Sequence, residues 1–350
     1  MKTQKIFSIA VVAFGVVALT ACEHKVAVRT SVREDGSLDR EIRLTSEDPK
    51  ISKQNYFGCS EQNGWALIAD SLHVKLTASD SSKAKEKKYT VIFRKSYSSA
   101  SEANAETSSS TDTLFHLSSK FEKHFRWFYT VYRFEDTYHP INRFHYPITD
   151  FLNTNDFQFI ENLPAEGKPI SKADSLFLTK LNERIFDHYF NRAYGEEYFQ
   201  VFRKNASEEQ WKKLQLNQQV IFDILAKADS KDNSISADNP WPSLFDSLGI
   251  DIDLTTNKYK LEAKEIESRL NFMMWASEGK YLHSINMPGE IVSHNADSVA
   301  GNEFYWKPSY LKFAFKEQTF FVETKKPNIW AWVVSLIVIG VAAWGLRKRL

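Results

Sequence analysis

Residues 328–350 read NIWAWVVSLIVIGVAAWGLRKRL, and this stretch dictates how the rest of the chain must be arranged. No charged side chain occurs from Ile329 to Leu346. At about 1.5 Å of rise per residue, a helix over this run matches the ~30 Å hydrocarbon core of a bilayer. Trp330 and Trp332 stand at one end and Trp344 at the other, where amphipathic rings collect. Arg347, Lys348 and Arg349 follow at once, a basic stop that predicts a C-terminus in the cytoplasm. The expectation is a transmembrane helix over 328–346 and a cytoplasmic basic tail over 347–350. A buried core helix is the competing reading, and the basic stop weighs against it.

The first residues carry a second membrane signal. Lys2 and Lys5 precede an apolar run from Ile6 to Leu19, the layout of a secretory signal. The run ends in Leu19-Thr20-Ala21-Cys22, which resembles the lipobox of bacterial lipoprotein precursors. That resemblance implies a signal peptide over 1–21, cleavage before Cys22, and lipid attachment to Cys22. Each buried acyl CH₂ contributes about 0.8 kcal/mol, so a diacylated cysteine anchors well. The two signals agree on sidedness: the body outside the cytoplasm, the tail returned to it. A helical span favours the inner membrane, since outer-membrane proteins are barrels. The expected location is therefore the bacterial inner membrane, with the body periplasmic and the lipid bilayer as its first partner.

The net charge of +1 gives no sign of a nucleic-acid partner. With Cys22 reserved for lipid, Cys59 has no partner in the chain, so neither a disulfide framework nor a cysteine metal site is expected.

Within the body, Val26, Val28, Thr30 and Val32 alternate as on a half-buried strand. Asp35-Gly36 supplies a tight turn, and Leu38, Ile42 and Leu44 lie on the return strand. Two further strands are predicted over 71–78 and 88–97, joined by a charged loop. Residues 98–112 read either as a short helix near 100–106 or as a linker. Residues 120–146, KFEKHFRWFYTVYRFEDTYHPINRFHY, are unusually aromatic. Phe125, Trp127, Tyr129 and Val131 would share one face of a strand, with Phe128, Thr130, Tyr132 and Phe134 on the other. Apolar residues on both faces predict a central strand covered on two sides, followed by a loop over 135–147.

From Ser171 the period becomes helical. Phe177, Leu181, Ile185, Tyr189 and Phe190 recur at mostly four-residue steps. Ser207-Glu208-Glu209-Gln210 has the form of a capping box, opening a helix with Trp211, Leu214, Ile221, Ile224 and Leu225 inward. Leu261, Ile266, Leu270 and Met273 mark another helix that stops near Gly279. Strand character returns over 281–325. The fold class is thus α+β. A discontinuous β-rich domain, 22–150 and 280–326, is interrupted by a largely helical insertion over 151–279 and followed by the C-terminal transmembrane helix.

Read together, the two β parts resemble LppM-type lipoproteins of bacterial envelopes. The resemblance rests on Cys22, the strand and turn at Glu34-Asp35-Gly36-Ser37, and the closing pieces Met287-Pro288-Gly289-Glu290-Ile291-Val292, Ala300-Gly301-Asn302 and Trp306. It covers 22–98 and 281–350 and leaves out the helical middle. It implies a periplasm-facing α+β domain with an anchoring tail, and carries no catalytic residues.

No HExxH, GxSxG, P-loop or GxGxxG motif occurs, and the His116/His124 and His139/His145 pairs lack the spacing of a zinc site on one helix. Neither metal nor cofactor is expected, and no catalytic residue is assigned. Tyr138, His139, His145 and Tyr146 are the candidate binding residues, because loops carrying aromatics often carry function. Asp-Ser/Thr-apolar triplets recur, among them Asp112-Thr113-Leu114. They resemble the O-glycosylation acceptor of some bacterial envelopes, and helix capping explains the same pattern. Thr113 is the candidate acceptor. The function expected is a non-catalytic scaffold or binding module at the outer face of the inner membrane, acting with an envelope protein or lipid. The alternative is an enzyme acting on envelope lipid or glycan through residues 135–146, with Glu135-Asp136 near His139.

Overall fold

A computed structural model describes residues 24–52, 55–75, 86–107, 113–228 and 241–348. The expected signal peptide over 1–21, Cys22, most of the charged loop before residue 86 and the last two residues lie outside them.

Strand β1 (Lys25–Val32) turns its Val26, Val28, Thr30 and Val32 inward. Gly36, at φ +89°, supplies the left-handed turn residue, and the Asp35 carboxylate accepts from the Ser37 amide at 3.0 Å. β2 (Leu38–Ser46) returns antiparallel, with Val32 opposite Leu38. β3 (Ala66–Lys75) and β4 (Glu86–Tyr97) extend the sheet beyond β2.

A short helix follows, α1 (Ala100–Thr107), rather than a linker. It is tied to the next strand by two bonds: the Ser119 amide donates to Asn104 Oδ1 at 2.6 Å, and Asn104 Nδ2 donates to the Ser119 carbonyl at 2.8 Å.

The aromatic stretch departs from its sequence reading. It forms a hairpin, not one strand. β5 (Leu117–Phe125) ends where the expected central strand would begin, Arg126 to Phe128 make the turn, and β6 (Tyr129–Tyr138) comes back. β6 is central in its sheet but buried on one side only: Thr130, Tyr132, Phe134, Asp136 and Tyr138 point into the body. The expected loop over 135–147 therefore starts after Tyr138.

Among the described residues six α-helices follow: α2 (Thr154–Glu161), α3 (Lys172–Glu183), α4 (Asn191–Asn205), α5 (Glu208–Ala228), α6 (Trp241–Leu248) and α7 (Asn257–Glu278). A π-helical turn over Arg184–Phe190 joins α3 to α4. The capping box at α5 forms as read: Gln210 N donates to Ser207 Oγ at 3.3 Å and Ser207 N to Gln210 Oε1 at 2.7 Å. The helices meet on rings, with Phe202 4.9 Å from both Trp241 and Phe245. Ile224, expected inward, is 40% exposed. The α7 end stacks Trp275 on His24 at 4.0 Å, so the helices share one hydrophobic core with the strands.

The chain then re-enters the first sheet. β7 (Lys280–Asn286) pairs with β1 in parallel, Lys25 opposite Lys280 through Ser31 opposite Asn286. A parallel pair needs a long crossover, and residues 33–279 supply it. β8 (Glu290–His294), β9 (Ser298–Ala300), β10 (Glu303–Trp306), the short α8 (Leu311–Ala314) and β11 (Gln318–Pro327) complete the body. Among the described residues the strands form a seven-stranded sheet, β3-β4-β2-β1-β7-β10-β9, and a four-stranded sheet, β5-β6-β11-β8. The fold is α+β. The last helix, α9 (Ile329–Arg347), is long and apolar enough to cross a membrane, and Ala331 is its buried residue.

Candidate functional site

The junction between α9 and the four-stranded sheet is closed by one residue. Asn328 N donates to the Phe128 carbonyl at 2.9 Å, and its Nδ2 to the carbonyls of Arg126 (2.7 Å) and Trp127 (3.3 Å). Its Oδ1 accepts from Thr130 Oγ1 at 2.9 Å. The start of the helix is thereby clamped to the β5–β6 turn. Rings lock the clamp. Phe125 stacks on Trp330 at 6.1 Å, Trp127 meets Trp330 edge-on at 5.4 Å, and Phe128 lies 4.4 Å from Trp332. Trp127 Nε1 donates to Ser335 Oγ at 2.9 Å. Yet Trp127 is 48%, Trp330 53% and Trp332 52% exposed. Rings that pair with one another while half exposed form an apolar belt where α9 leaves the body.

Beside this belt, a groove of about 1030 Å³ runs over the outer face of the four-stranded sheet. The strand register arranges its lining in rows. Nearest α9, Tyr129 opposes Pro327, with Phe128 and Trp332 alongside. In the next row His124 opposes Val131, which opposes Lys325, which opposes Glu290. Beyond it, Glu122 opposes Arg133, which opposes Glu323. Arg133 Nε reaches Glu135 at 2.7 Å and its Nη1 reaches Glu323 at 3.3 Å, while its guanidinium covers the Phe321 ring at 4.5 Å. Lys325 lies 3.5 Å from Glu290. Hydrogen bonds from Lys120 and then His124 hold the Glu122 carboxyl below its usual range. Arg126 stands exposed at the turn with no ion pair among the described residues.

A second polar cluster lies between the sheets. Asp136 Oδ1 accepts from Arg40 Nη2 (2.7 Å) and Ser119 Oγ (2.6 Å), and its Oδ2 from Thr30 Oγ1 (2.8 Å). His283 Nε2 stands 3.2 Å from Asp136 Oδ2 without hydrogen-bond geometry. Burial pushes the Asp136 carboxyl up, but the Arg40 charge, His283 and Ser119 outweigh it and hold it below the carboxylate range. Burial lowers His283 against the pull of the same carboxylate. Asp136 and His283 are both fully buried, so the cluster fastens the sheets together and offers no surface to a substrate.

The residues singled out in the sequence do not come together. Tyr138 is a core residue, against Phe313 at 5.2 Å and Phe320 at 5.5 Å. His139 follows the strand and contacts Ser118 Oγ and Glu317, each at 2.9 Å. His145 is exposed and bound through Nδ1 to Glu197 at 2.7 Å, and Tyr146 is half-buried under the Arg192 guanidinium at 5.5 Å. Glu135 and Asp136 point to opposite faces of β6. Thr113 lies half-buried in the turn before β5, and Cys22 falls outside the described residues. Alternation places Trp127 and Phe128 on a covered strand, whereas they sit in the turn between β5 and β6. Their likeness to the Trp330 and Trp332 end of the apolar helix was the available signal for their place in the belt. Comparison with known families, curated proteins and solved structures finds no match.

Proposed function

We propose that this chain is a membrane-anchored envelope lipoprotein acting as a non-catalytic scaffold or binding module at the outer face of the bacterial inner membrane. In this reading α9 spans the bilayer, Cys22 carries lipid, and the body is periplasmic. The observation that carries it is the belt: Phe125, Trp127 and Phe128 of the turn interlock with Trp330 and Trp332 of the helix while remaining half exposed. Aromatic rings favour that depth at a membrane surface, and the clamp at Asn328 would hold the body against it. The resemblance to LppM-type lipoproteins agrees with this arrangement. The enzyme reading through residues 135–146 is weaker, because Asp136 and Tyr138 are sealed in the core.

The geometry adds a constraint to double anchoring. Glu34, just past the end of β1, pairs with Lys326 beside α9. Lys25 begins the strand at its other end, about 25 Å away at the usual strand rise. His24 is itself buried, and its carbonyl accepts from Lys280 N at 2.9 Å. A lipid on Cys22 would therefore reach the bilayer of α9 only with β1 inclined toward the surface.

Fractionation of cells tests the reading. The parent and a deletion of residues 330–350 should both stay in the membrane fraction. The deletion combined with Cys22→Ser and a cleavable signal should become soluble. Soluble protein from the deletion alone would refute lipid at Cys22, and a parent extracted by salt would refute the span.

A further inference from the structure

We propose that the groove beside α9 binds the headgroup of a bilayer phospholipid that is zwitterionic and ends in a primary ammonium, the phosphoethanolamine class. The inference rests on the membrane reading above. Three observations carry it.

The first is charge balance. The groove's lining carries three permanent cations, Arg126, Arg133 and Lys325, and three carboxylates, Glu122, Glu290 and Glu323. An anionic headgroup would place an uncompensated negative charge beside those carboxylates, whereas a zwitterion matches the lining.

The second is order. Read outward from α9, the first row is aromatic with Arg126 at its turn, the second balances Lys325 against Glu290, and the third sets Glu122 and Glu323 about Arg133, so the net charge runs from positive at the turn to negative at the far row. A phospholipid read outward from its acyl chains runs glycerol, phosphate, ammonium. Rows on one face of a sheet are spaced by two residues, about 7 Å. Arg126 and Glu122 stand two rows apart, about 14 Å, a gap shared between the long Arg126 side chain on the phosphate and an ethanolamine linker reaching the acidic row.

The third is the kind of cation. A quaternary ammonium is held by ring faces, but the rings line the row nearest α9, and the Phe321 face is already covered by Arg133. Carboxylates that accept hydrogen bonds select an ammonium that can donate them. Arg126, without an ion pair among the described residues, is the group left to meet the phosphate.

The test uses the full chain in phosphatidylcholine vesicles containing an equal fraction of brominated phosphatidylethanolamine, phosphatidylcholine or phosphatidylglycerol. Trp332 lines the groove, so the part of the quenching that Trp332→Phe removes reports which brominated lipid gathers there. Brominated phosphatidylethanolamine should quench about two-fold more strongly than the other two, the size expected of exposed ion pairs. Glu122→Gln with Glu323→Gln should abolish the excess while the protein still floats with the vesicles. Equal quenching by all three lipids, or an excess that survives in the double variant, overturns the assignment. Binding of soluble phosphoethanolamine without enrichment of the lipid overturns the bilayer as its source. A chain that does not float refutes the membrane reading itself, while one that floats without lipid preference refutes the groove alone.

Discussion

Arg40 Nη2 donates to Asp136 Oδ1 at 2.7 Å across the interface of the two sheets, and neither side chain reaches solvent. Arg40 belongs to β2 and Asp136 to β6, so the pair joins strands of different sheets. Such a pair adds little net stability, because desolvating two charges offsets their attraction. Its consequence is specificity: any slip of β6 by one residue would bring Glu135 or Thr137 to Arg40 and turn Asp136 outward.

Breaking one half of this pair is expected to cost about 3–5 kcal/mol, because the partner is left charged and buried. Asp136→Asn keeps the shape and removes the charge. Arg40→Met combined with Asp136→Leu should lose much less than either single change. Denaturant unfolding in detergent of the parent, Arg40→Met, Asp136→Leu and the double variant gives the coupling energy; additive losses would show that the pair does not act as a unit.

Asn328→Asp should loosen the clamp at α9. The substitution puts an oxygen where Nδ2 now donates to the carbonyls of Arg126 and Trp127. Loss of two donors at a half-buried site is worth about 1–3 kcal/mol. Amide exchange at residues 126–130 should accelerate by one to two orders of magnitude at about 1.4 kcal/mol per decade. Unchanged exchange there would mean that the rings alone hold the helix.

Acid should destabilise the body through His24. Burial against Trp275 pushes this imidazole down from 6.5 to about 4. Above pH 6.5 both states are neutral and nothing is lost. As pH falls below that value the unfolded chain takes up the proton first, so stability drops until about pH 4, where the folded state titrates too. The loss attributable to this group is about 3 kcal/mol. His24→Phe keeps the stack and should flatten that part of the pH–stability curve. His283, also lowered by burial, contributes in the same direction. An unaltered curve in the variant would assign the acid loss elsewhere.

Gly195→Ala pits propensity against packing. In a helix interior alanine is favoured by about 1 kcal/mol. Here a Cβ would lie 2.4 Å from Phe222 Cε1 and 3.2 Å from Leu225 Cδ1, where α4 meets α5. Overpacking of this kind costs about 1–3 kcal/mol and should win. The variant should have a lower unfolding midpoint, and Phe222→Leu in the same chain should recover part of it.

The sequence by itself determined what depends on neighbours a few residues apart. The Asp35-Gly36 turn, the Ser207–Gln210 capping box and the apolar run of α9 each follow from chemistry contained within one element. The alternation of Val26, Val28, Thr30 and Val32 marked the buried face of β1 for the same reason. Tertiary structure alone decided what depends on partners far along the chain. Arg126 to Phe128 could have been part of a covered strand. They became a turn because rings about 200 residues later, on α9, supply their contacts. Asp136 and Tyr138 read as loop residues, yet they are buried because Arg40, His283, Phe313 and Phe320 converge on them from distant segments. The parallel pairing of β1 with β7 likewise joins residues some 250 positions apart. Periodicity records which side of an element is apolar; which partner covers that side is settled only when the elements pack.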